Sequence, residues 1–214
     1  MRVLIVYAHL EPHSFNHALK EQAINVLQAA RHEVRVSDLY AQSFNPVATW
    51  HDFERAAVIQ PRQYGVMQRE AYLHHHVAED IIAEQEKLSW CDLVIFQFPL
   101  WWFSAPAILK GWFDRVLMAG YAYDKEKWFA TGLLTSRRAI LSVTTQSPKS
   151  AYDASNMHGD IKQILYPVHH TLRFVGIMPL SPFLAYGVMN MDTQERRQCL
   201  MDYQLHLSEQ IEKK

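Results

Sequence analysis

Three uninterrupted runs of mainly apolar residues, each long enough for one buried strand, constrain the fold of this chain more than any other feature. They cover residues 3–8, 92–98 and 138–145. Runs that lack polar alternation are typical of parallel strands covered on both faces. A shorter run at 34–39 predicts a further strand, and a weaker one at 178–186, interrupted by two prolines, predicts an irregular edge strand.

Segments with the apolar spacing of helices alternate with these strands. Predicted helices follow Ser14 and cover residues 77–90, 106–118, 160–174 and 193–212. We expect Ser14 and Asp160 to be N-cap residues. The alternation predicts right-handed crossovers and an α/β fold, a doubly wound parallel sheet of five strands with helices on both faces.

The organisation along the chain predicts a single domain over residues 1–214. Residues 40–76 lack clean periodicity, and a segment of that length indicates an irregular excursion that contains short helices or serves a function. In a doubly wound sheet of strand order 2-1-3-4-5, ligands bind where the carboxyl ends of strands one and three diverge, beside strand four. We therefore expect the site in the loops that begin at His9, Pro99 and Thr144.

Charge and cysteine content exclude several classes of protein. Lys and Arg number 21 against 22 Asp and Glu, so nucleic acid and anionic membranes are not expected partners. Cys91 and Cys199 are far apart and show no metal-ligand spacing, which favours a reduced cytoplasmic protein. No apolar run reaches the length of about eighteen residues that a membrane span needs. The seven glycines form no GxG or GxxxxGK pattern, so no glycine-cradled phosphate motif is present.

The first candidate loop is HLEPHSFN, directly before a predicted helix. A helix N-terminus offers free backbone N–H groups and partial positive charge, so it suits phosphate. His9, Ser14 and Asn16 could supply further donors. The alternative is a polar loop with a capping serine.

The second candidate loop is PLWWF, residues 99–103. Indole and phenyl rings give rigid, flat, apolar surface that suits a heteroaromatic ligand. The alternative is a loop that packs against the core or a second subunit.

The third candidate is the hydroxyl-rich turn TTQS at 144–147, followed by Tyr152 and His158. The turn offers donors to a ring carbonyl, and the Tyr and His could share a proton relay. The alternative is an ordinary strand exit with Asp160 as an N-cap. Residues 74–76 and 169–170 are runs of consecutive histidines. Consecutive residues on a helix point in different directions, so we predict no metal site.

Together these segments resemble the flavin-dependent NAD(P)H:quinone reductases. The resemblance rests on VLIVYAH, SFN, DLVIFQFPLWWFSAPAILKGWFDRV, SVTT and YDASNMHGD. This DT-diaphorase group has the flavodoxin-like fold, and the similarity covers residues 3–200. The resemblance implies FAD, with FMN less favoured, and NAD(P)H as hydride donor. It also implies a homodimer with sites at the subunit interface, and ping-pong two-electron reduction of quinones or azo compounds.

The resemblance also implies roles for individual residues. Expected cofactor contacts are His9, Ser14, Phe15, Asn16, Gln63, Pro99, Leu100, Trp101, Trp102, Phe103, Thr144, Thr145, Gln146, Ser147 and Arg197. Tyr152 and His158 match the pair that stabilises charge on the reduced flavin, and both are expected to touch substrate. Tyr123 resembles a contact that stacks on the substrate ring.

Three departures from the family pattern affect these expectations. Gln146 and Ser147 stand where the family usually has two glycines, so the fit at that edge of the ring is expected to differ. Trp101 replaces a glutamine common in the animal enzymes, and those enzymes continue beyond the end of this chain. Two other functions remain open: an ancillary subunit that regulates a glutathione-gated potassium efflux transporter, and a one-electron carrier.

Overall fold

The computed structural model describes residues 1–53 and 63–212, which form a parallel β-sheet with helices on both faces. The strands are β1 (Arg2–Tyr7), β2 (Glu33–Asp38), β3 (Leu93–Pro99), β4 (Arg138–Thr144), β5 (Met178–Pro179) and β6 (Phe183–Ala185). Their order is β2-β1-β3-β4-β5, and β6 also pairs with β4. The predicted doubly wound topology is confirmed.

The fifth position of the sheet is not filled by the one strand that the sequence predicted. It is filled by β5 and β6 in succession, both parallel to β4, so the sheet has six strands in five positions. Pro182 lies between them and, having no N–H, cannot continue a ladder. The irregular edge predicted from the two prolines is therefore confirmed, although its two halves are separate strands.

Within the described residues, six α-helices connect and cover the strands. They are α1 (Phe15–Ala29), α2 (Tyr64–Leu73), α3 (Glu79–Trp90), α4 (Ala107–Val116), α5 (Ile161–Phe174) and α6 (Thr193–Glu212). The predicted N-caps are confirmed: the Ser14 side chain accepts from the His17 amide, and that of Asp160 from the Lys162 amide. Pro106 precedes the first turn of α4 rather than lying in it. No helix of the described residues is long and apolar enough to cross a bilayer.

The alternating side chains of β1 show how the two layers form. Val3 and Ile5 belong to the core cluster that packs against α1 and α6, whereas Leu4 and Val6 belong to the cluster under α3, α4 and α5. All four side chains are fully buried. A strand that is apolar at every position thus has a core on each side, which is why its sequence shows no polar alternation.

Arg115 of α4 attaches part of the irregular excursion to the body of the fold. Its guanidinium donates to Asp52 at 3.0 Å, to Asp80 and to the Asn45 carbonyl at 2.8 Å, and it is almost fully buried. The predicted excursion contains a short 3-10 helix, Trp50–Asp52, and α2. The buried pair with Asp52 and the partly exposed pair with Asp80 attach this segment to α3 and α4.

Candidate functional site

A groove opens where the carboxyl ends of β1, β3 and β4 meet. The loop after β1 begins with the Ala8 amide bonded to the Gln97 carbonyl at 3.0 Å, and the loop after β3 begins with the Leu100 amide bonded to the Thr144 carbonyl at 2.8 Å. These two bonds continue the sheet by one residue before the chains separate. The groove lies where doubly wound sheets bind ligands.

Two adjoining cavities form the groove. The inner cavity, of about 430 Å³, is lined by His9, Glu11, His13, Ser14, Phe15, Asn16, Pro99, Leu100, Trp101, Thr144, Thr145, Gln146, Val188, Met189 and Arg196. The outer cavity, of about 590 Å³, is lined by Leu100, Trp101, Trp102, Phe103, Gln146, Ser147, Tyr152 and His158. Because Leu100, Trp101 and Gln146 line both cavities, the two adjoin. The structure thus brings the three predicted loops together.

The inner cavity contains the N-terminus of α1. Ser14 Oγ accepts a hydrogen bond from the His17 amide at 3.2 Å, whereas the amides of Phe15 and Asn16 have no partner among the described residues. Unpaired amides at the positive end of a 15-residue helix suit a phosphate group.

His9 adds a donor beside those amides. Its Nδ1 accepts from the Glu11 amide at 3.0 Å, a shorter contact than the 3.4 Å to the Glu11 carbonyl, which favours the proton of the neutral ring on Nε2. Burial lowers the pKa of His9, so the neutral form is favoured. The imidazole contacts the indole of Trp101, with ring centroids 5.7 Å apart.

Arg196 reaches the inner cavity. The sequence predicted instead that the next residue, Arg197, contacts the cofactor. The Arg196 guanidinium lies over the Phe15 ring at 5.4 Å and donates to the Val188 carbonyl at 2.9 Å. Arg197 is exposed and lines neither cavity. Sequence reasoning also missed the contributions of Val188 and Met189, which precede α6 without any motif.

A buried chain of hydrogen bonds forms the floor of the inner cavity. Gln97 Nε2 donates to Asn16 Oδ1 at 2.9 Å, and Asn16 Nδ2 donates to Thr144 Oγ1 at 2.7 Å. The chain links β3, α1 and β4, and all three side chains are buried. Because Thr144 Oγ1 accepts from Asn16, its own proton is available to a ligand.

A tight turn presents the aromatic residues of the outer cavity. Trp101 and Ser104 exchange backbone hydrogen bonds of 3.1 and 3.0 Å, and the two residues between them, Trp102 and Phe103, have φ of 50° and 58°. Positive φ is unfavourable for bulky side chains and indicates a functional constraint. Trp102 is 94% exposed and Phe103 is 50% exposed, so neither ring fills the groove.

The turn after β4 forms the facing edge of the groove. Neither Gln146 nor Ser147 has positive φ, so the backbone here does not require the glycines of the family pattern. The Thr145 hydroxyl donates to the Ser147 carbonyl at 2.8 Å, and the Gly187 amide donates to the same carbonyl at 3.0 Å. The amides of Gln146 and Ser147, like those of Trp102 and Phe103, have no partner in the described part of the chain. Four unpaired amides therefore flank the space between the two turns.

Tyr152 and His158 stand together at the outer cavity, with ring centroids 5.0 Å apart. The imidazole also contacts Phe103 at 5.4 Å. Its Nε2 lies 2.9 Å from Ser147 Oγ, and within residues 1–53 and 63–212 no hydrogen bond joins it to the Tyr152 hydroxyl. The two predicted residues are adjacent, but they do not form the direct relay suggested by their spacing.

Two further predicted site residues, besides Arg197, lie away from the groove. Tyr123 lines a separate cleft of about 380 Å³ between α2, α4 and α5, where its ring contacts Phe174 with centroids 5.3 Å apart. Burial raises the pKa of Tyr123. Gln63 is exposed at the start of α2 and lines neither cavity.

The histidine runs do not form a metal centre among the residues that the structure describes. No group of three or more His, Cys, Asp or Glu side chains there could hold an ion. The donors of the groove are instead amides, hydroxyls, an imidazole and a guanidinium beside flat apolar surface. This set fits a phosphorylated molecule with a planar ring, and a flavin nucleotide has both parts.

Comparison with known proteins agrees with this geometry. A family model described as flavodoxin-like fold matches residues 1–207. The ribosyldihydronicotinamide dehydrogenase [quinone] of Pongo abelii is 46% identical over 92% of this chain and 86% of that protein. NAD(P)H dehydrogenase [quinone] 1 of Rattus norvegicus is 43% identical over 96% of this chain and 76% of that protein. The crystal structure of a Klebsiella pneumoniae protein assigned as a quinone reductase, 37% identical, superposes with a TM-score of 0.92 over 97% of this chain and 84% of that one.

Proposed function

Because the chain belongs to the flavodoxin-like family that includes these quinone dehydrogenases, we propose that it is a flavin-dependent NAD(P)H:quinone oxidoreductase. One observation supports the proposal: a helix N-terminus with two unpaired amides and an aromatic cavity flanked by four more lie in adjoining cavities. No relative described above has a name that supports the transporter-regulator alternative.

We propose FAD rather than FMN as the cofactor. The inner cavity extends past the free amides of Phe15 and Asn16 to Val188, Met189 and Arg196. That extension offers apolar surface and a cation beyond the phosphate position, which suits the adenosine half of a dinucleotide. Extraction of the bound cofactor and chromatography against both standards tests the assignment, and FMN as the sole product would contradict it.

The residues of the outer cavity have three roles in the proposed reaction. A bound flavin supplies acceptance and donation of a hydride, which is the cofactor's own chemistry. Trp102 and Phe103 exclude water from the ring, and the unpaired amides offer hydrogen bonds to its polar edge. His158 and Tyr152 stabilise negative charge at the ring. The outer cavity receives donor and acceptor in turn, as ping-pong transfer requires, and the acceptor is a quinone or an azo compound.

We propose that the protein is a homodimer, because several large apolar side chains are exposed. Beside the exposed Trp102, Met157 is 90% exposed, and Trp128 and Phe129 form an aromatic surface with Phe174 near Tyr123. Exposed apolar rings in this number indicate an interaction surface. A second copy would cover the outer cavity and bring Tyr123 toward a substrate. Light scattering of the purified protein is expected to give twice the chain mass of 25.0 kDa.

The two thiols suit a reducing compartment, so we propose that the protein acts in the cytoplasm. Cys91 and Cys199 are both free and buried. Burial raises the pKa of Cys91 to about 12 and that of Cys199 to about 11, so neither is a reactive thiolate at neutral pH.

The proposed activity is tested by steady-state reduction of menadione with NADH, NADPH and N-ribosyldihydronicotinamide in parallel. The relatives' names differ in the hydride donor, so the three donors separate the two kinds of enzyme. Turnover with any of them supports a quinone reductase, and preference for NADH or NADPH supports the assignment made here. Absence of turnover with all three, in a protein that carries flavin, would contradict it.

A further inference from the structure

Ser147 is the polar partner of the imidazole at the outer cavity. Its Oγ lies 2.9 Å from His158 Nε2, across eleven residues of chain. No other hydrogen bond to the His158 ring exists in the part of the chain that the structure describes. Ser147 therefore determines how one of the two ring nitrogens is used.

The backbone of Ser147 is fixed on two sides. Its carbonyl accepts both from the Thr145 hydroxyl, at 2.8 Å, and from the Gly187 amide, at 3.0 Å. The His158 amide is likewise bonded, to the Ala151 carbonyl at 3.0 Å. The serine hydroxyl and the imidazole thus face each other from two restrained segments, so little entropy is lost in forming their hydrogen bond.

Either atom of this hydrogen bond can be the donor, because the role of Nε2 depends on the tautomer of the ring. Ser147 Oγ has no other partner among the residues described, so its proton is satisfied by the protein only when Nε2 accepts it. An imidazole that accepts at Nε2 carries its own proton on Nδ1 when it is uncharged. The rings of Phe103 and Tyr152, with centroids 5.4 and 5.0 Å from that of His158, restrict rotation of the imidazole.

We propose that Ser147 is a positioning residue that holds neutral His158 in the form protonated at Nδ1, so that the imidazole offers an N–H donor to the molecule in the outer cavity. This inference rests on the proposed function for its consequence in the reaction, but the contact itself exists without cofactor. A glycine at position 147, as in the family pattern, has no side chain to do this.

The contact is tested first in the protein without flavin, by ¹⁵N NMR of the histidine rings. The neutral His158 of the unaltered protein is expected to be protonated at Nδ1. Ser147→Ala should move the proton to Nε2, and Ser147→Thr, which keeps the hydroxyl, should not. Ser150→Ala is the matched control, because Ser150 is exposed and lines neither cavity of the groove. An unchanged tautomer in Ser147→Ala would overturn the inference.

The consequence of the hydrogen bond between Ser147 and His158 for the reaction is tested by stopped-flow reduction of the flavin-loaded protein. Ser147→Ala is expected to slow flavin reduction about 10-fold, which is part of the loss that removal of a whole acid–base group causes. Ser147→Thr is expected to restore the rate. In a His158→Gln background, Ser147→Ala should add nothing, because the two residues act as a unit. A full additional loss in that background would show that Ser147 acts independently of His158 and would contradict the inference.

Failure of the two proposals can be told apart. If no dihydronicotinamide reduces the loaded protein, the proposed function fails, while the NMR result still decides on the hydrogen bond between Ser147 and His158. If reduction is fast and Ser147→Ala changes neither the tautomer nor the rate, the function stands and the inference fails.

Discussion

The imidazole of His9 and the indole of Trp101 contact each other between the loops that follow β1 and β3, with ring centroids 5.7 Å apart. His9 lines the inner cavity and Trp101 lines both, so the contact lies where the two cavities adjoin. Because His9 Nδ1 accepts from the Glu11 amide, Nε2–H is left for a ligand.

His9→Ala is therefore expected to weaken flavin binding about 10-fold, the loss of one hydrogen bond to a charged group. Fluorescence titration of the flavin-free protein measures the dissociation constant. His74→Ala is the control, since its side chain is exposed at the end of α2 and lines neither cavity of the groove. Equal affinity of the His9 variant and the unaltered protein would remove His9 from the phosphate site.

Substitutions at Trp102 are expected to affect stability and activity differently. The Trp102 φ of 50° suits glycine, and its side chain is 94% exposed, so Trp102→Gly should stabilise the fold by about 0.5–1 kcal/mol. Trp102→Ala keeps the strained φ and should stay within about 0.5 kcal/mol of the unaltered protein. Both variants remove the indole, so quinone reduction should fall in both. Urea denaturation and menadione turnover give the two values, and equal stability of both variants would refute the strain argument.

Alanine substitutions at two glycines test how closely the irregular excursion packs against the rest of the fold. A Cβ at Gly111 of α4 would lie 2.1 Å from the Pro46 carbonyl oxygen, so Gly111→Ala should destabilise the protein by about 1–3 kcal/mol. At Gly65 of α2 the nearest atom would be 3.9 Å away, and Gly65→Ala should stabilise the helix by about 0.5–1 kcal/mol. Thermal unfolding compares them. A tolerated alanine at 111 would mean that residue 46 does not pack there.

The stability of the fold is expected to fall on acidification because His9 and His169 are partly buried imidazoles. Burial lowers the pKa of His9 and His169 from the ordinary value of 6.5, so the unfolded chain binds more protons at these residues than the folded one. Their contribution is complete above pH 6.5 and is lost as the pH falls below it. Urea denaturation at about pH 7.5 and 5.5 measures the slope. His169→Gln should flatten it, and a slope equal to that of the unaltered protein would contradict this origin.

The sequence was sufficient for the fold because its signals are local. Continuous apolar runs specify strands with a core on both faces, and Ser14 and Asp160 mark helix starts through bonds to amides two or three residues on. The helix α2 was not predicted individually, because its residues show weak periodicity next to exposed aromatic side chains. Pro182 signalled an irregular edge but not the two separate strands.

The site was harder to predict because it depends on orientation. In α6 the buried side is marked by Cys199 and Tyr203, and Arg196, three residues before Cys199, lies on that side, whereas Arg197 is turned by about 100°. Helical phase could therefore have selected Arg196. The hydrogen bond between Ser147 and His158 could not be found this way, since it spans two turns whose geometry only the fold defines.

The most direct test of the account is an anaerobic spectral titration of the flavin-loaded protein with NADH or NADPH, followed by menadione. The account predicts a yellow protein that is bleached in one two-electron step by one equivalent of donor and regains its colour with one equivalent of quinone. A protein that takes up no flavin, or one that stops at a stable blue one-electron form, would contradict it.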